Sequence, residues 1–239
     1  SASAALAAAR PTSAGAIRVA LRDAILADDT RGAWAVSDGL GARAGAGVAS
    51  RTIVETLARA LETRPSAGVR RWLSAAVQEA GRAVERAAAG NRRWRDMSAT
   101  LTLLVAGGPE AFLAHVGDSR AYRVRDGSIE QLTRDHSVAW EQFAAGAITK
   151  ADLRRHPNQK LLTRTIDARR GFVIADLTAI EIRPGDVHVL ASDGLTKALD
   201  DAEILSVARA TPLEGLAAAL VEAAIRAGAD DDVTVVAVG

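Results

Sequence analysis

The sequence predicts a single α+β domain in which helix pairs pack against β-sheet. Strand-like and helix-like segments follow in the order strands, two helices, strands, two helices, strand, with no repeat and no internal linker between 17 and 239. The composition, 49% hydrophobic and 25% charged over 239 residues, is that of a globular chain long enough to bury a real core. Aromatic residues make up only 3%, so Ala, Val, Leu and Ile must fill the interior.

The elements are predicted in turn. The first fifteen residues, mostly Ala, Ser and Gly, lack the basic start and apolar centre of a signal peptide and read as a linker or frayed terminus, 1–15, before a domain at 16–239. The missing initiator Met suggests a fragment of something longer. Ala24-Ile25-Leu26 and Ala33-Trp34-Ala35-Val36, split by a polar Asp/Gly segment, predict a hairpin. Val48, Ile53, Leu57 and Leu61 keep one helical stripe until Arg64-Pro65. Val69, Leu73, Val77, Ala80 and Val84 keep a second until Gly90, and the short break makes the two an antiparallel pair.

Strands are predicted at 101–106, 112–116 and 121–124, followed by a turn at Arg125-Asp126-Gly127, because Gly tolerates the positive φ a tight hairpin needs. Residues 137–156 read as helical and polar, with Trp140 and Phe143 on one side. Strands resume at 172–182 and 187–191. A helix pair at about 201–227 precedes a last strand at 233–238.

Several function classes are excluded or disfavoured. Thirty basic against twenty-nine acidic residues leave +1, so no global field favours nucleic acid. No apolar stretch approaches the roughly 18 residues of a membrane helix. Without cysteine there are no disulfides, thiolate zinc sites or cysteine nucleophile, which fits a reducing compartment. The cluster Arg92, Arg93, Arg95 reads as a solvated helix end. Gly39, Gly41, Gly45 and Gly47 do not have dinucleotide-loop spacing, and no P-loop Lys follows. His115, His136, His156 and His188 lack metal-ligand spacing; His115 and His188 are expected to face solvent or make ordinary hydrogen bonds, while His136 and His156 border the 137–160 segment, where proton donation to a leaving group is conceivable. Trp34, Trp72, Trp94 and Trp140 form no surface stripe and read as packing residues.

The chemistry lies in the aspartates. Three apolar runs end in Asp followed by a small residue: Ala35-Val36-Ser37-Asp38-Gly39, His115-Val116-Gly117-Asp118-Ser119 and Leu190-Ala191-Ser192-Asp193-Gly194. A fourth acidic group, Asp230-Asp231-Asp232, stands just before the last strand. One Asp-Gly is ordinary turn chemistry. Several carboxylates at strand ends would build an all-oxygen site, which suits Mg²⁺ or Mn²⁺ and not zinc.

These motifs also carry a family resemblance. Val36-Ser37-Asp38-Gly39-Leu40-Gly41, Met97-Ser98-Ala99-Thr100-Leu101, His115-Val116-Gly117-Asp118-Ser119-Arg120-Ala121-Tyr122, Leu132-Thr133-Arg134-Asp135-His136-Ser137, Ala191-Ser192-Asp193-Gly194-Leu195 and Asp231-Asp232-Val233-Thr234-Val235 follow one another in family order over about 220 residues. The chain resembles the metal-dependent Ser/Thr protein phosphatases of the PPM (PP2C) family in their compact bacterial form. The resemblance implies a four-layer α/β/β/α sandwich of two mainly antiparallel sheets flanked by helix pairs. It also implies hydrolysis of phosphoserine or phosphothreonine by metal-activated water, with one to three Mn²⁺ or Mg²⁺ ions.

Carried over by motif, Asp38 would bridge two ions and the Gly39 carbonyl would contact the second. Asp193 and Asp231 would complete the first site, and Asp118 with Asp193 would hold a third ion. Arg18 would bind phosphate, Asp23 would order metal-bound water, and residues 137–160 would be a flap over the channel. The implied setting is a monomer in a bacterial cytoplasm, acting on a phosphoprotein such as a Ser/Thr kinase or its targets, with no nucleic acid and no membrane.

The first motif departs from the family. Arg18, three residues, then Arg22-Asp23 stands where the family has Arg, three residues, Glu-Asp, so Arg22 replaces an acidic ligand of the second metal. A guanidinium stays protonated and does not ligate a cation. At about 5 Å and an effective dielectric of about 20 it costs a divalent ion roughly 7 kcal/mol. Arg22 would either swing to solvent or stand in for the second metal as a fixed cation. The expectation is a phosphatase with an impaired second site and weak activity; the alternative is a pseudophosphatase that works as a binding module. Gly41-Ala42-Arg43 likewise replaces the usual Gly-Gly-His.

Overall fold

The computed structural model describes residues 13–19, 22–40, 45–107, 110–153 and 156–239, with only the backbone described over 13–19. Four layers follow from where the apolar faces point. Ser13–Val19 (β1), Val233–Val238 (β13), Val187–Ala191 (β12), Arg120–Arg125 (β8) and Ser128–Gln131 (β9) form one five-stranded sheet in that order. Asp176–Glu181 (β11), Glu110–Val116 (β7), Leu101–Ala106 (β6), Ala33–Ser37 (β3) and Ala24–Asp28 (β2) form the other. All pairings in both sheets are antiparallel. Three two-residue strands, Gly39–Leu40 (β4), Ser98–Ala99 (β5) and Ile166–Asp167 (β10), make a small third sheet.

Between the sheets lies a thin core of Trp34, Val36, Leu104, Leu113, Leu190 and Val236. Trp34 is the one bulky aromatic there; it is fully buried, and its indole N–H donates to Asp29 Oδ1 at 2.8 Å. The helices Ala46–Leu61 (α1) and Val69–Ala89 (α2) cover the β2–β3–β6–β7–β11 sheet. Their expected stripes, Val48, Ile53, Leu57, Leu61 on one and Val69, Leu73, Val77, Ala80, Val84 on the other, pack against it, Val48 partly buried and the rest buried. Each large side chain so buried contributes about 1.5–3 kcal/mol. Asp201–Ala210 (α6) and Leu213–Arg226 (α7), with the short Asp193–Ala198 (α5), cover the opposite sheet through Leu195, Ile204, Leu216 and Leu220. The Asp126-Gly127 turn has both residues at positive φ, 49° and 74°, and joins β8 to β9 as expected.

Four expectations are corrected. Ser13–Val19 is a strand, paired from Ser13↔Val238 to Val19↔Val233, so ordered sheet begins inside the segment that its Ala/Gly composition assigned to a linker. The helix expected over 137–156 is two short ones, Val138–Ala144 (α3) and Lys150–Leu153 (α4). Ser137 Oγ caps α3 by accepting the Trp140 N–H, and Gly146 at φ 74° turns the chain out of it; Trp140 and Phe143 do lie edge to face at 5.6 Å. The strand expected from 172 starts only at Asp176, because Gln78 takes the backbone of Val173: its side chain accepts the Val173 N–H at 3.1 Å and donates to the Val173 carbonyl at 2.6 Å. His188 is buried with Nε2 unpartnered instead of facing solvent, whereas His115, also buried, makes the ordinary hydrogen bonds allowed for it, with Thr102 Oγ1 and the Arg134 carbonyl, both at 3.0 Å. The Gly41-Ala42-Arg43 departure lies outside the described residues.

Candidate functional site

All four acidic groups arrive at one pole of the sandwich. Asp38 follows β3, Asp118 follows β7 after Gly117, Asp193 follows β12 at the head of α5, and Asp231 and Asp232 precede β13. The strand ends are locked by backbone contacts. The Asp38 N–H donates to Thr100 Oγ1 at 3.0 Å, the Thr100 N–H donates back to the Asp38 carbonyl at 2.9 Å, and Thr100 Oγ1 is bonded to Ser119 Oγ at 2.7 Å. Ser192 and Thr234 exchange backbone and hydroxyl bonds at 3.0 Å, which holds Asp193 beside the start of β13.

Two glycines make this convergence possible. A Cβ on Gly39 would fall on the carbonyls of Ala46 and Arg22, and Gly117 turns at φ 108° against Thr100.

The centre is crowded with negative charge. Asp23 is fully buried and accepts from Thr234 Oγ1 at 2.6 Å, next to Asp38. Burial, then the charges of Asp23 and Asp193, push the Asp38 carboxyl up to about 10, so these neighbours hold a proton between them. Burial and the charge of Asp193 push Asp118 up to about 7. Burial also raises Asp193, against the opposing pull of Lys197. Asp118 Oδ1 and Asp193 Oδ1 are buried and have no hydrogen-bond partner.

Two cations face these acids. Arg22 does not swing to solvent: its Nη2 lies 2.5 Å from Asp231 Oδ1, its Nε lies 3.3 Å from Asp232 Oδ2, and its backbone N–H donates to that same oxygen. Lys197 Nζ is ion-paired with Asp193 Oδ2 and lies 3.4 Å from Asp231 Oδ2. Burial would raise Asp231, but the Asp232 N–H, Lys197 and Arg22 together hold it below the usual carboxylate range.

A cleft of about 230 Å³ opens beside Asp118, Asp193 and Lys197, and Ser137, Gln159 and Lys160 line its other side. Arg18 sits in β1 opposite Thr234, near the same pole in the pairing register; its side chain lies outside the described residues.

A hard divalent ion takes oxygen donors. Asp38, Asp118 and Asp193 supply buried, all-oxygen, partly unsatisfied donors, and they fit one. The Asp231–Asp232 side offers less, because the Arg22 guanidinium holds Asp231 Oδ1 and Asp232 Oδ2 and leaves Asp231 Oδ2 facing Lys197. Asp38, Asp118 and Asp193 are donors of the right chemistry but do not already form a cage: among the described residues no three His, Asp or Glu side chains stand as one. Lys197, Thr100, Ser119 and Thr234 were not singled out in the sequence. Only Lys197 leaves a signal there, as a basic residue four positions after Asp193 on a helix.

A two-sheet sandwich with helices on both outer faces and a polar pole of strand-end aspartates defines the class of metal-dependent protein phosphatase folds. The family model for Protein phosphatase 2C matches residues 19–227, and the chain belongs to that family. It is 33% identical over 202 residues to the serine/threonine protein phosphatase PstP of Mycobacterium tuberculosis, covering 84% of this chain and 39% of that protein. The chain thus spans about two-fifths of the length of that curated relative. The crystal structure of the M. tuberculosis phosphatase PstP/Ppp superposes with a TM-score of 0.87 at 30% identity, covering 96% of this chain and 97% of that one. The catalytic domain of PstP in complex with two manganese ions superposes at 0.84, with 30% identity and 96% of each chain covered.

Proposed function

We propose that this domain is a phosphoserine/phosphothreonine protein phosphatase that depends on Mn²⁺ or Mg²⁺. The observation that carries the reading is the pair of buried, unpartnered oxygens, Asp118 Oδ1 and Asp193 Oδ1, in a centre where burial and then the charges of Asp23 and Asp193 raise the Asp38 carboxyl. A divalent ion bound there would supply an activated water and a clamp for phosphate oxygens. Asp38, Asp118 and Asp193 would hold it, with the Gly39 carbonyl and Asp231 as the remaining family donors. Asp23, bonded to Thr234 and next to Asp38, would order the metal-bound water, and Arg18 would bind the phosphate.

Residues 137–160 act as the flap over the cleft, to which Ser137, Gln159 and Lys160 contribute. Residues 16–239 form the catalytic unit, with β1 reaching back to Ser13. The substrate is a phosphoprotein, a Ser/Thr kinase or its target, met in the cytoplasm by a monomer. Among the described residues no helix is long and apolar enough to cross a membrane.

The contacts of Arg22 and Lys197 favour a second reading, a binding module with little catalysis, because both cations neutralise acids that a two-metal centre would use. Turnover of a phosphothreonine peptide with Mn²⁺, with and without chelator, separates the two. Chelator-sensitive hydrolysis that Asp38→Asn abolishes supports the enzyme; no turnover beside intact peptide binding supports the module.

A further inference from the structure

We propose that Lys197 is a resident counter-ion that competes with the first divalent ion for Asp193 and Asp231, so that metal enters this centre only as the lysine leaves it. The inference rests on the metal-dependent reading above and concerns the regulation of that same site.

Lys197 lies one helical turn beyond Asp193 on α5, and its ammonium reaches both carboxylates that the first ion would join. Its side chain is 20% exposed and that of Asp193 14%, so this is a shielded contact and not a solvated surface pair of little consequence. Asp231 has no oxygen to spare: Arg22 holds Oδ1 at 2.5 Å and Lys197 approaches Oδ2. A cation bridging Asp193 and Asp231 therefore meets an ammonium already in place, at a separation where two positive charges repel strongly.

The two cations differ in how firmly they are held. Arg22 is fixed by Asp231, by Asp232 and by its own backbone N–H. Lys197 sits at the end of a four-carbon stem that lines the 230 Å³ cleft beside Asp118 and Ser137, which gives the ammonium room to withdraw. Lys197 is the displaceable one.

The experiment is a calorimetric Mn²⁺ titration of the purified chain, of Lys197→Met and Lys197→Gln, and of Lys150→Met, which removes the same charge from an exposed lysine paired with Asp201. Melting curves are recorded with and without Mn²⁺. Both Lys197 variants are expected to bind Mn²⁺ at least tenfold more tightly than wild type, with Lys150→Met within twofold. They are also expected to melt lower than wild type without metal and to gain more on its addition. A Lys197 variant that folds only with Mn²⁺ supports the proposal as well.

Lys197 variants that bind Mn²⁺ no more tightly than wild type, or stay unfolded with and without it, overturn the proposal and leave the metal reading standing. Absence of Mn²⁺ binding at millimolar concentration in wild type and every folded variant overturns the metal reading, and this proposal with it.

Discussion

Arg22 Nη2 donates to Asp231 Oδ1 at 2.5 Å across 209 residues of chain, while Lys197 approaches the other oxygen of the same carboxylate. The carboxylate that the resemblance assigns to the first metal is here held between two side-chain cations. The guanidinium stands at a sequence position where the resemblance calls for Glu, and it turns inward to the acids.

Arg22→Glu removes that cation and adds a carboxylate beside Asp231 and Asp232. The metal-free protein should melt lower, by about 2–4 °C for each kcal/mol lost at this chain length. Mn²⁺ titration should gain a second equivalent, and metal-dependent turnover should rise about tenfold, equivalent to 1.4 kcal/mol of barrier. Unchanged stoichiometry in the calorimeter would show that Arg22 is not what limits the second ion.

Arg120 and Asp135 form a two-pronged pair, Nε to Oδ1 at 2.9 Å and Nη2 to Oδ2 at 2.7 Å, and Arg120 Nη1 also donates to the buried Tyr122 hydroxyl. Asp135→Ala leaves that guanidinium nearly buried and half-partnered, and should cost about 3–5 kcal/mol in urea unfolding. The double variant Arg120→Met/Asp135→Leu should lose clearly less. Equal losses would mean that packing, not charge, sets the cost.

Two histidines predict the acid response. Burial lowers His188 to about 4, and burial followed by the neighbouring His136 lowers His115 to about 3. Both folded values lie below the unfolded 6.5, so the unfolded chain takes up protons first. The stability they contribute is present above pH 6.5 and is lost as pH falls towards 4 and 3. His188 Nε2 has no partner, so His188→Leu should be tolerated at pH 7. Relative to wild type the variant should gain about 2 kcal/mol on going from pH 7 to pH 5, read from denaturant midpoints at the two pH values. A parallel pH dependence would place the acid sensitivity elsewhere.

Trp34 fills the space between the sheets. Trp34→Ala should cost about 3–5 kcal/mol, and Trp34→Phe less, since Phe keeps most of the volume and loses the indole bond to Asp29. Chemical denaturation followed by circular dichroism checks the order of the two.

Most of the scaffold was legible because the relevant signals are local. The strands at 101–106, 187–191 and 233–238 are apolar runs each carrying a single polar residue, Thr102, His188 and Thr234, and α1 and α2 carry stripes that end at Arg64-Pro65 and Gly90. The start of β1 was hidden because Ser13, Ala14 and Gly15 have no strand pattern of their own; pairing with β13 makes them a strand. The two-residue strands β4, β5 and β10 and the six-residue α5 are too short to show a period. The aspartates of the centre could be found from their place after apolar runs. The partners of Arg22, and the approach of Lys197 to Asp231, could not, because they are decided by sheet closure; only the pairing of Lys197 with Asp193 follows from helical spacing.

That closure has a kinetic side. Arg22 and Asp23 flank β2, while Asp231 and Asp232 flank β13, so the centre joins segments about 210 residues apart in the chain. Closing a loop of that length costs about 5 kcal/mol of chain entropy before any contact repays it. No partly folded fragment holding one sheet edge contains the centre, and contacts this distant in sequence form late and slowly. An ion captured there would report on completion of the whole fold, because no single sheet edge supplies its donors.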